Sequence, residues 1–496
     1  MNEHNSFVVW AAILFMATHW ACNLASADSD IRTAKLRLAT GPKWAANEIV
    51  VKFKSGLSKD RINQINLRHA ASVLYTSRFA GFKRIKVPAG KSPQQMVEEY
   101  SREPDVKYAE LNHYAYALFV PNDTYYFLQW HFNDASAGIN IEPAWDITTG
   151  NAGVIIAVLD TGVAYENYKG FEQAPDLAGT LFVPGYNFVK GNEHANDDDG
   201  HGTHVAGTLA QTTNNNQNVA GIAFDCSIMP VKVLSRRGVG THTDIADGIY
   251  FAADNGADII NMSLGGAGDS TTLRNAVAYA YNQGVTIICA AGNEFQEGNL
   301  PSYPAAYDDY CIAVGATRYD RTRAYYSNTG SYLDLAGPGG DLNVDQNADG
   351  YGDGILQQTF GSNPKDWGLW FYTGTSMAAP HVSGVAALLI STGLTGPDTI
   401  RQALEDTAID LGPSGWDAEY GWGLVDAYAA LNYYNNVPGD FTGDGQVNSA
   451  DLVVLLSYWL GDEPSMDIAP EPNGDGIINL SDFALFSIYW MDGAGP

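Results

Sequence analysis

Between residues 120 and 435 lie five short, mostly apolar runs: Val154–Leu159, Ser227–Leu234, Asp258–Met262, Val285–Ala290 and Cys311–Val314. Windows with helical spacing separate them. A strand that is apolar on both faces must be covered on both faces, and helices crossing above and below a parallel sheet achieve this. The pattern predicts an α/β domain, a three-layer fold with a parallel sheet in the middle. In such sheets the groups that do chemistry gather at the carboxyl ends of strands. Asp160 closes the first run, and Asn293 follows the fourth by three residues.

A smaller unit precedes this domain. In residues 47–116, Glu48–Lys54 and Lys83–Val87 alternate like half-buried strands, with polar helical stretches between and after them, which predicts a small α+β fold. Charge is divided between the two regions. Residues 28–118 carry 16 Lys and Arg against 9 Asp and Glu, whereas residues 119–496 carry 11 against 46. The net charge of -29 argues against a nucleic-acid partner, whose phosphates need basic surfaces. The split suits a basic segment that docks on an acidic body.

Residues 1–27 read as a signal peptide. Phe7–Met16 has the length of an apolar core region and Ala25-Ser26-Ala27 offers a small-residue cleavage pattern, although the first five residues lack Lys and Arg. The run is too short for a comfortable bilayer crossing. The expectation is therefore an exported protein, secreted or held at the cell surface, with no stable membrane span. Beyond Cys22, only Cys226, Cys289 and Cys311 remain. Cys289 and Cys311 either pair or stay as buried thiols; this is not a disulfide scaffold.

Three segments carry the chemistry. Ser376 stands in Gly374-Thr375-Ser376-Met377-Ala378-Ala379-Pro380, before a helical run. Pro380 is tolerated only near a helix start, so Ser376 should sit where free backbone N–H groups favour negative charge. Taken alone, such a serine is more often an ordinary N-cap. His201 lies between glycines in Asp199-Gly200-His201-Gly202-Thr203-His204, and the second histidine three residues on also raises zinc. No His-Glu-x-x-His pattern supports a catalytic metal. Asp160 ends a buried strand in Val158-Leu159-Asp160-Thr161-Gly162, where a carboxylate must be paired or hydrogen-bonded.

These three segments, in the order Asp, His, Ser, resemble the boxes of the subtilisin family. The resemblance covers residues 120–435 and implies a serine endopeptidase with Asp160, His201 and Ser376 as triad. It implies that Asn293, in Ala291-Gly292-Asn293-Glu294, donates to the oxyanion with the Ser376 N–H. It further implies that Ser263, Leu264 and Gly265, facing Gly238 and Gly240, pair with protein or peptide substrate as an added strand. Ser302 would lie at the base of the first pocket, favouring broad, uncharged specificity. Residues 47–116 resemble the inhibitory prodomain of the same family, removed by self-cleavage near Leu118–Pro121. A calcium site of the family could use Asp123, Asp176 and the loop 214–218.

Residues 438–496 hold ten acidic residues, no Lys or Arg, and an internal repeat. Asp440, Thr442, Asp444 and Asp451 stand at positions 1, 3, 5 and 12 of an EF-hand-like loop, with Gln446 offering its carbonyl. Glu471, Asn473, Asp475, Ile477 and Asp482 repeat the set. Such oxygen-rich loops bind structural Ca²⁺. The paired loops with Asp at the last position resemble dockerin modules, a small α-helical domain, and imply a cohesin-like partner. A third loop, with Asp345, Asn347 and Asp349 in a D-x-N-x-D-G pattern, lies inside the large domain, but its position 12 is Leu356. The competing readings are a non-catalytic, calcium-dependent binding protein tethered by its tail, and a metallopeptidase built on His201 and His204.

Overall fold

The computed structural model describes residues 44–88, 90–114 and 119–433, with separate residues between 447 and 487. The leader 1–27 lies outside the described residues, as do Asp440, Thr442, Asp444, Gln446, Glu471, Asn473, Asp475, Ile477 and Asp482. The chain divides into two units, one ending at Leu118 and one starting at Phe119.

The first unit is a four-stranded sheet with two helices: β1 (Trp44–Phe53), α1 (Lys59–Arg68), β2 (Ser72–Thr76), β3 (Lys83–Lys86), α2 (Pro93–Ser101) and β4 (Val106–His113). The strand order is β2-β3-β1-β4, with antiparallel pairing. Both helices start where a serine can accept an orphan N–H. The Ser58 side chain takes the Arg61 N–H, and Ser92 forms a reciprocal capping box with Gln95 ahead of Pro93. Ile49, Val51, Ile65, Ile85 and Met96 are buried between the helices and the sheet.

In the second unit two short helical turns, Trp130–Asn133 and Ile141–Trp145, come first, and the strands and longer helices then run β5 (Ile155–Asp160), β6 (Leu181–Phe182), β7 (Tyr186–Asn187), α3 (His201–Ala210), β8 (Ser227–Lys232), α4 (His242–Asp254), β9 (Ile259–Met262), α5 (Thr271–Asn282), β10 (Thr286–Ala290), β11 (Cys311–Thr317) and β12 (Leu335–Pro338). They continue with β13 (Ile355–Phe360), β14 (Trp367–Tyr372), α6 (Thr375–Ser391), α7 (Pro397–Asp406), α8 (Ala427–Leu431) and α9 (Ser449–Ser457). Eight strands make one sheet in the order β12-β11-β10-β9-β5-β8-β6, with β7 also on β8. Every pairing in it is parallel. Alternate residues of β5 feed different cores. Ile156 and Val158 join the core that holds α6, while Ala157 and Leu159 join the core under α4 and α5. This is the two-sided burial that the apolar runs require.

The chain leaves β5 toward β8 on one side and returns to β9 on the other, so the strand order reverses at the β5–β9 pair. A crevice opens outside the carboxyl ends of two such strands. Asp160 ends β5 and Ser263 follows β9 directly. The stretch between β12 and α6 forms the antiparallel hairpin β13–β14, and β13 is buried along its length. Cys226, Cys289 and Cys311 are buried and free; Cys289 and Cys311 are neighbours without a bond. In the C-terminal repeats Val447 and Ile478, the eighth residues of their loops, are buried in one small core with Leu455 and Phe486. Asp451 is buried as well.

Helix α6 is buried over most of its surface, as expected of a helix that is apolar all round. At Gly384 a Cβ would meet the Cβ and Cγ2 of Ile222 at 2.7 Å. Overpacking costs about 1–3 kcal/mol, against a helix-propensity gain of about 1 kcal/mol for Ala. Gly384→Ala should therefore lower Tm by a few degrees in scanning calorimetry. An unchanged or raised Tm would show that Ile222 yields at no cost.

Candidate active site

Each group at the crevice is held by a local device. Gly200 (φ 112) and Gly374 (φ 148) start α3 and α6 with backbone that L side chains rarely adopt. His201 is the first residue of α3 and Ser376 the second of α6. His201 Nδ1 lies 2.8 Å from Asp160 Oδ1, which also accepts the Thr161 N–H at 2.7 Å. The Asp160 side chain is fully buried, while that of His201 is 26% exposed. Burial works against an imidazolium here, but the Asp160 carboxylate outweighs it and His201 is pushed up to about 9.

The turn before α3 is anchored by Asp197, which the sequence analysis does not single out. It is fully buried. Its Oδ1 accepts from Thr161 Oγ1 and the N–H groups of Asp199 and Gly200, and its Oδ2 accepts from Thr203 N and Oγ1. Its neighbour Asp198 pairs with the buried ammonium of Lys232 at 2.7 Å. An Asp shortly before a Gly-His helix start was the available signal, since such residues cap helices.

Ser376 Oγ donates to the Ser263 carbonyl at 3.3 Å, and Ser263 Oγ donates to the Ser376 carbonyl at 2.8 Å. The second bond has a covalent cause. Inside α6 the Ser376 carbonyl would accept from the residue four places on, but that residue is Pro380, which has no N–H. Ser263 supplies the missing donor. Asn261 Nδ2 in turn donates to Ser263 Oγ, and Ser383 Oγ donates to Asn261 Oδ1. The end of β9 and the start of α6 are therefore joined by one connected set of hydrogen bonds.

Asn293 is oriented by Thr375. The Thr375 N–H and Oγ1 both donate to Asn293 Oδ1, at 2.9 and 3.0 Å, which turns the amide nitrogen the other way. A Cβ built on Gly374 would lie 3.6 Å from both Asn293 Nδ2 and Ser376 N, and 3.7 Å from Asn293 Oδ1, which is already engaged by Thr375. Two N–H donors thus border one small space beside Ser376 Oγ, an arrangement suited to a developing oxyanion. Nothing in the sequence marks Thr375 beyond its adjacency to Ser376.

A cleft of about 450 Å³ runs past His201. Leu234, Gly238, Gly240, Ser263, Leu264, Gly265 and Tyr303 are among the residues that line it. Ser302 is buried beneath Gly265, whose added Cβ would come within 2.2 Å of its Oγ. His204 does not join His201. Its Nε2 donates to the carbonyls of Ile355 and Trp370 at 3.0 and 3.1 Å, and its ring stacks on Tyr372. His381 Nδ1 donates to the Met377 carbonyl, so its Nε2 accepts from His131 Nδ1 at 2.8 Å.

Away from the cleft, buried Asp123 and Asp176 face the loop 214–218. Asp123 accepts the Asn214 N–H at 2.7 Å, and Asp176 accepts from Asn215 Nδ2 at 2.8 Å. Burial pushes Asp176 up to about 6. Asp345, Asn347 and Asp349 stand together in one exposed loop ahead of β13.

The fold and this site match a known family. Residues 151–423 match the subtilase family model, residues 33–112 the fervidolysin N-terminal prodomain, and residues 438–489 the dockerin type I domain. The chain is 37% identical over 394 residues to the thermophilic serine proteinase of Bacillus sp. strain AK1, covering 79% of this chain and 88% of that one. It is 39% identical to thermitase of Thermoactinomyces vulgaris over 64% of this chain and all of the other. A solved protease of Pseudoalteromonas arctica superposes with a TM-score of 0.55 at 35% identity, over 63% of this chain and 99% of that one. The chain belongs to the subtilase family and is a subtilisin-like serine endopeptidase with an N-terminal prodomain. Subtilases and dockerins generally bind structural calcium. Among the described residues no helix is long and apolar enough to cross a membrane.

Two predictions follow from these contacts. Ser263→Ala removes the donor from the part-buried Ser376 carbonyl, at a cost of at most about 1–3 kcal/mol. Pro380→Ala restores an N–H to that carbonyl, so the double variant should lose less stability than the two single losses added together. Additive losses in denaturant titrations would refute the link. The second concerns pH. Burial lowers His131 well below 6.5, His204 to about 3 and His381 to about 4, whereas His201 is raised to about 9. The first three favour the fold fully above about pH 6.5, and that contribution falls as acid protonates the unfolded chain. The His201 contribution is complete below about pH 6.5 and is lost as pH rises through 9. Unfolding measured from pH 4 to 10 should show both slopes, and His201→Gln should abolish only the alkaline one.

Proposed function

We propose that Asp160, His201 and Ser376 form the catalytic triad of a secreted endopeptidase made as a self-processing zymogen. The observation that carries the reading is the pair of donors, Asn293 Nδ2 and Ser376 N, that border one space beside the Ser376 hydroxyl. In this mechanism His201 takes the Ser376 proton as Oγ attacks the scissile carbonyl, then returns it to the leaving amine. Asp160, dry and hydrogen-bonded to Nδ1, fixes the tautomer and favours the imidazolium. Ser376 Oγ leaves the Ser263 carbonyl when a substrate strand lies between Ser263–Gly265 and Gly238–Gly240, the cleft walls that would read its backbone. Hydrolysis itself requires no metal in this scheme.

Residues 47–116 are the inhibitory prodomain of this reading, cut away near Leu118–Pro121. The basic charge of residues 28–118 against the acidic remainder supports it. Export is supported by the apolar leader and by relatives named extracellular proteases. The C-terminal loops Asp440–Asp451 and Glu471–Asp482 hold structural calcium and present a surface for a cohesin-like partner. The shared core of Val447 and Ile478 supports their pairing. A further calcium at Asp123, Asp176 and the loop 214–218 is favoured by two buried carboxylates facing a loop with left-handed residues at Asn214, Asn216 and Asn218.

A fluorophosphonate probe should label the mature enzyme at Ser376. Ser376→Ala should accumulate as the full precursor, its N-terminus read by mass spectrometry. Equal processing of both forms would reject self-cleavage, and an unlabelled mature protein would reject the triad. Asn293→Ala should lower kcat by about 10²–10³ with KM nearly unchanged; that figure is the known cost of removing the corresponding donor in subtilisin, a member of this family.

A further inference from the structure

The segment between β12 and β13 is attached at both ends to the helices of the site. At one end Gly339 O accepts the N–H of Gly374, the cap of α6, at 3.1 Å. At the other, Ile355 O accepts from His204 of α3 at 3.0 Å, and Gly354 O accepts from Trp130 Nε1 at 3.0 Å. Two backbone bonds close its neck: Asp341 N to Asp353 O and Asp353 N to Val344 O, both 2.9 Å. The tip between them carries Asp345, Asn347 and Asp349 on alternate residues, and Gly350 turns the chain at φ 92. The Asp349 and Gly350 N–H groups bond to Asp345, and the Tyr351 N–H to Asp349.

Asp353 changes the meaning of this loop. It stands at position 9, is only 2% exposed, and its Oδ2 accepts the Gln346 N–H at 2.8 Å. Its Oδ1 is buried with no hydrogen-bond partner. A dry carboxylate oxygen without a donor is costly unless a cation meets it.

We propose that residues 345–353 form a calcium site, with ligands from the side chains of Asp345, Asn347, Asp349 and Asp353 and the carbonyl of Tyr351. Positions 1, 3, 5 and 7 follow the EF-hand scheme, and the buried carboxylate at position 9 replaces the usual acid at position 12. Leu356, at position 12, is buried in β13 and free of that duty. Hard oxygen donors in a flexible loop suit Ca²⁺, which accepts varied geometry. Among the described residues no three acidic, His or Cys side chains already converge as a finished set. Binding therefore turns Asp345, Asn347 and Asp349 from the loop amides onto the ion beside Asp353. Because the loop bridges the caps and contacts of α3 and α6, the ion stiffens the connection between His201 and Ser376. This consequence, unlike the site itself, rests on reading those two residues as catalytic.

Hydrogen exchange of full-length Ser376→Ala chain, followed by mass spectrometry with calcium and after chelation, tests the site. Amides within 345–353 should exchange at least tenfold more slowly in calcium. Asp345→Asn and Asp349→Asn, both at exposed positions, should abolish that difference and bind one Ca²⁺ fewer per chain in equilibrium dialysis. Equal exchange across 345–353 in the parent chain would overturn the proposal, as would unchanged stoichiometry in the folded variants. Neither readout involves catalysis, so a failed triad would appear in probe labelling alone and leave this result standing.

Discussion

The imino nitrogen of Pro380 imposes the connection on which the rest of the site depends. Without an N–H at that position, the carbonyl of Ser376 must find its donor outside its own helix. It finds it at the end of β9, in Ser263, whose hydroxyl is held by Asn261 and through it by Ser383, two turns further along α6. The central strand and the buried helix are thus registered against each other by polar bonds as well as by packing. Asn293 is registered to the same helix through Thr375. A group placed by several short bonds from rigid elements needs little reorganisation when charge develops beside it.

The parallel sheet was legible because burial on two faces leaves a simple record. The run Ser227–Leu234 contains β8 and Asp258–Met262 contains β9, with ends differing by one or two residues. Val285–Ala290 likewise contains β10. The short strand Leu335–Pro338 left no such record, because its glycine and proline read as a turn and only its neighbours make it a strand. The hairpin of β13 and β14 was missed for a related reason: its insertion was read for its acidic residues, and Gln357 and Gln358, although buried, do not signal a core. At the site, residues identified by a dense local pattern came together, Asp160 with His201 and Ser376 with Ser263. What could not be read was distant pairing. Thr375 with Asn293, Pro380 with Ser263 and Asp353 with the residues before it each depend on a fold that no local window contains.

Two histidines three residues apart on α3 show how far surroundings outweigh identity. His201 faces a dry carboxylate and holds its proton more tightly than a free imidazole. His204 points the other way, donating to two carbonyls of the β13–β14 hairpin in a setting that penalises charge. One is poised to exchange a proton and the other is a neutral brace between helix and hairpin. The proximity that raised zinc in the sequence is a consequence of one helix serving two faces, since residues at this spacing can still address different layers when each is fixed by its own partners.

An added Cβ at Gly374 would sit 3.6 Å from Asn293 Nδ2 and Ser376 N, in the space between them, and one at Gly200 would come within 2.8 Å of the Phe360 carbonyl. Glycine codons are GGN, and every missense change from them introduces a Cβ. At ordinary positions a lineage can try conservative neighbours before selection acts, but these two sites have none. Their first inherited replacement would narrow the space between those two N–H groups or strain the start of α3. A descendant copy drifting away from proteolysis would therefore be free to vary at these glycines as soon as it stopped cutting. A side chain at either position would mark the moment at which a subtilase of this kind had become something else.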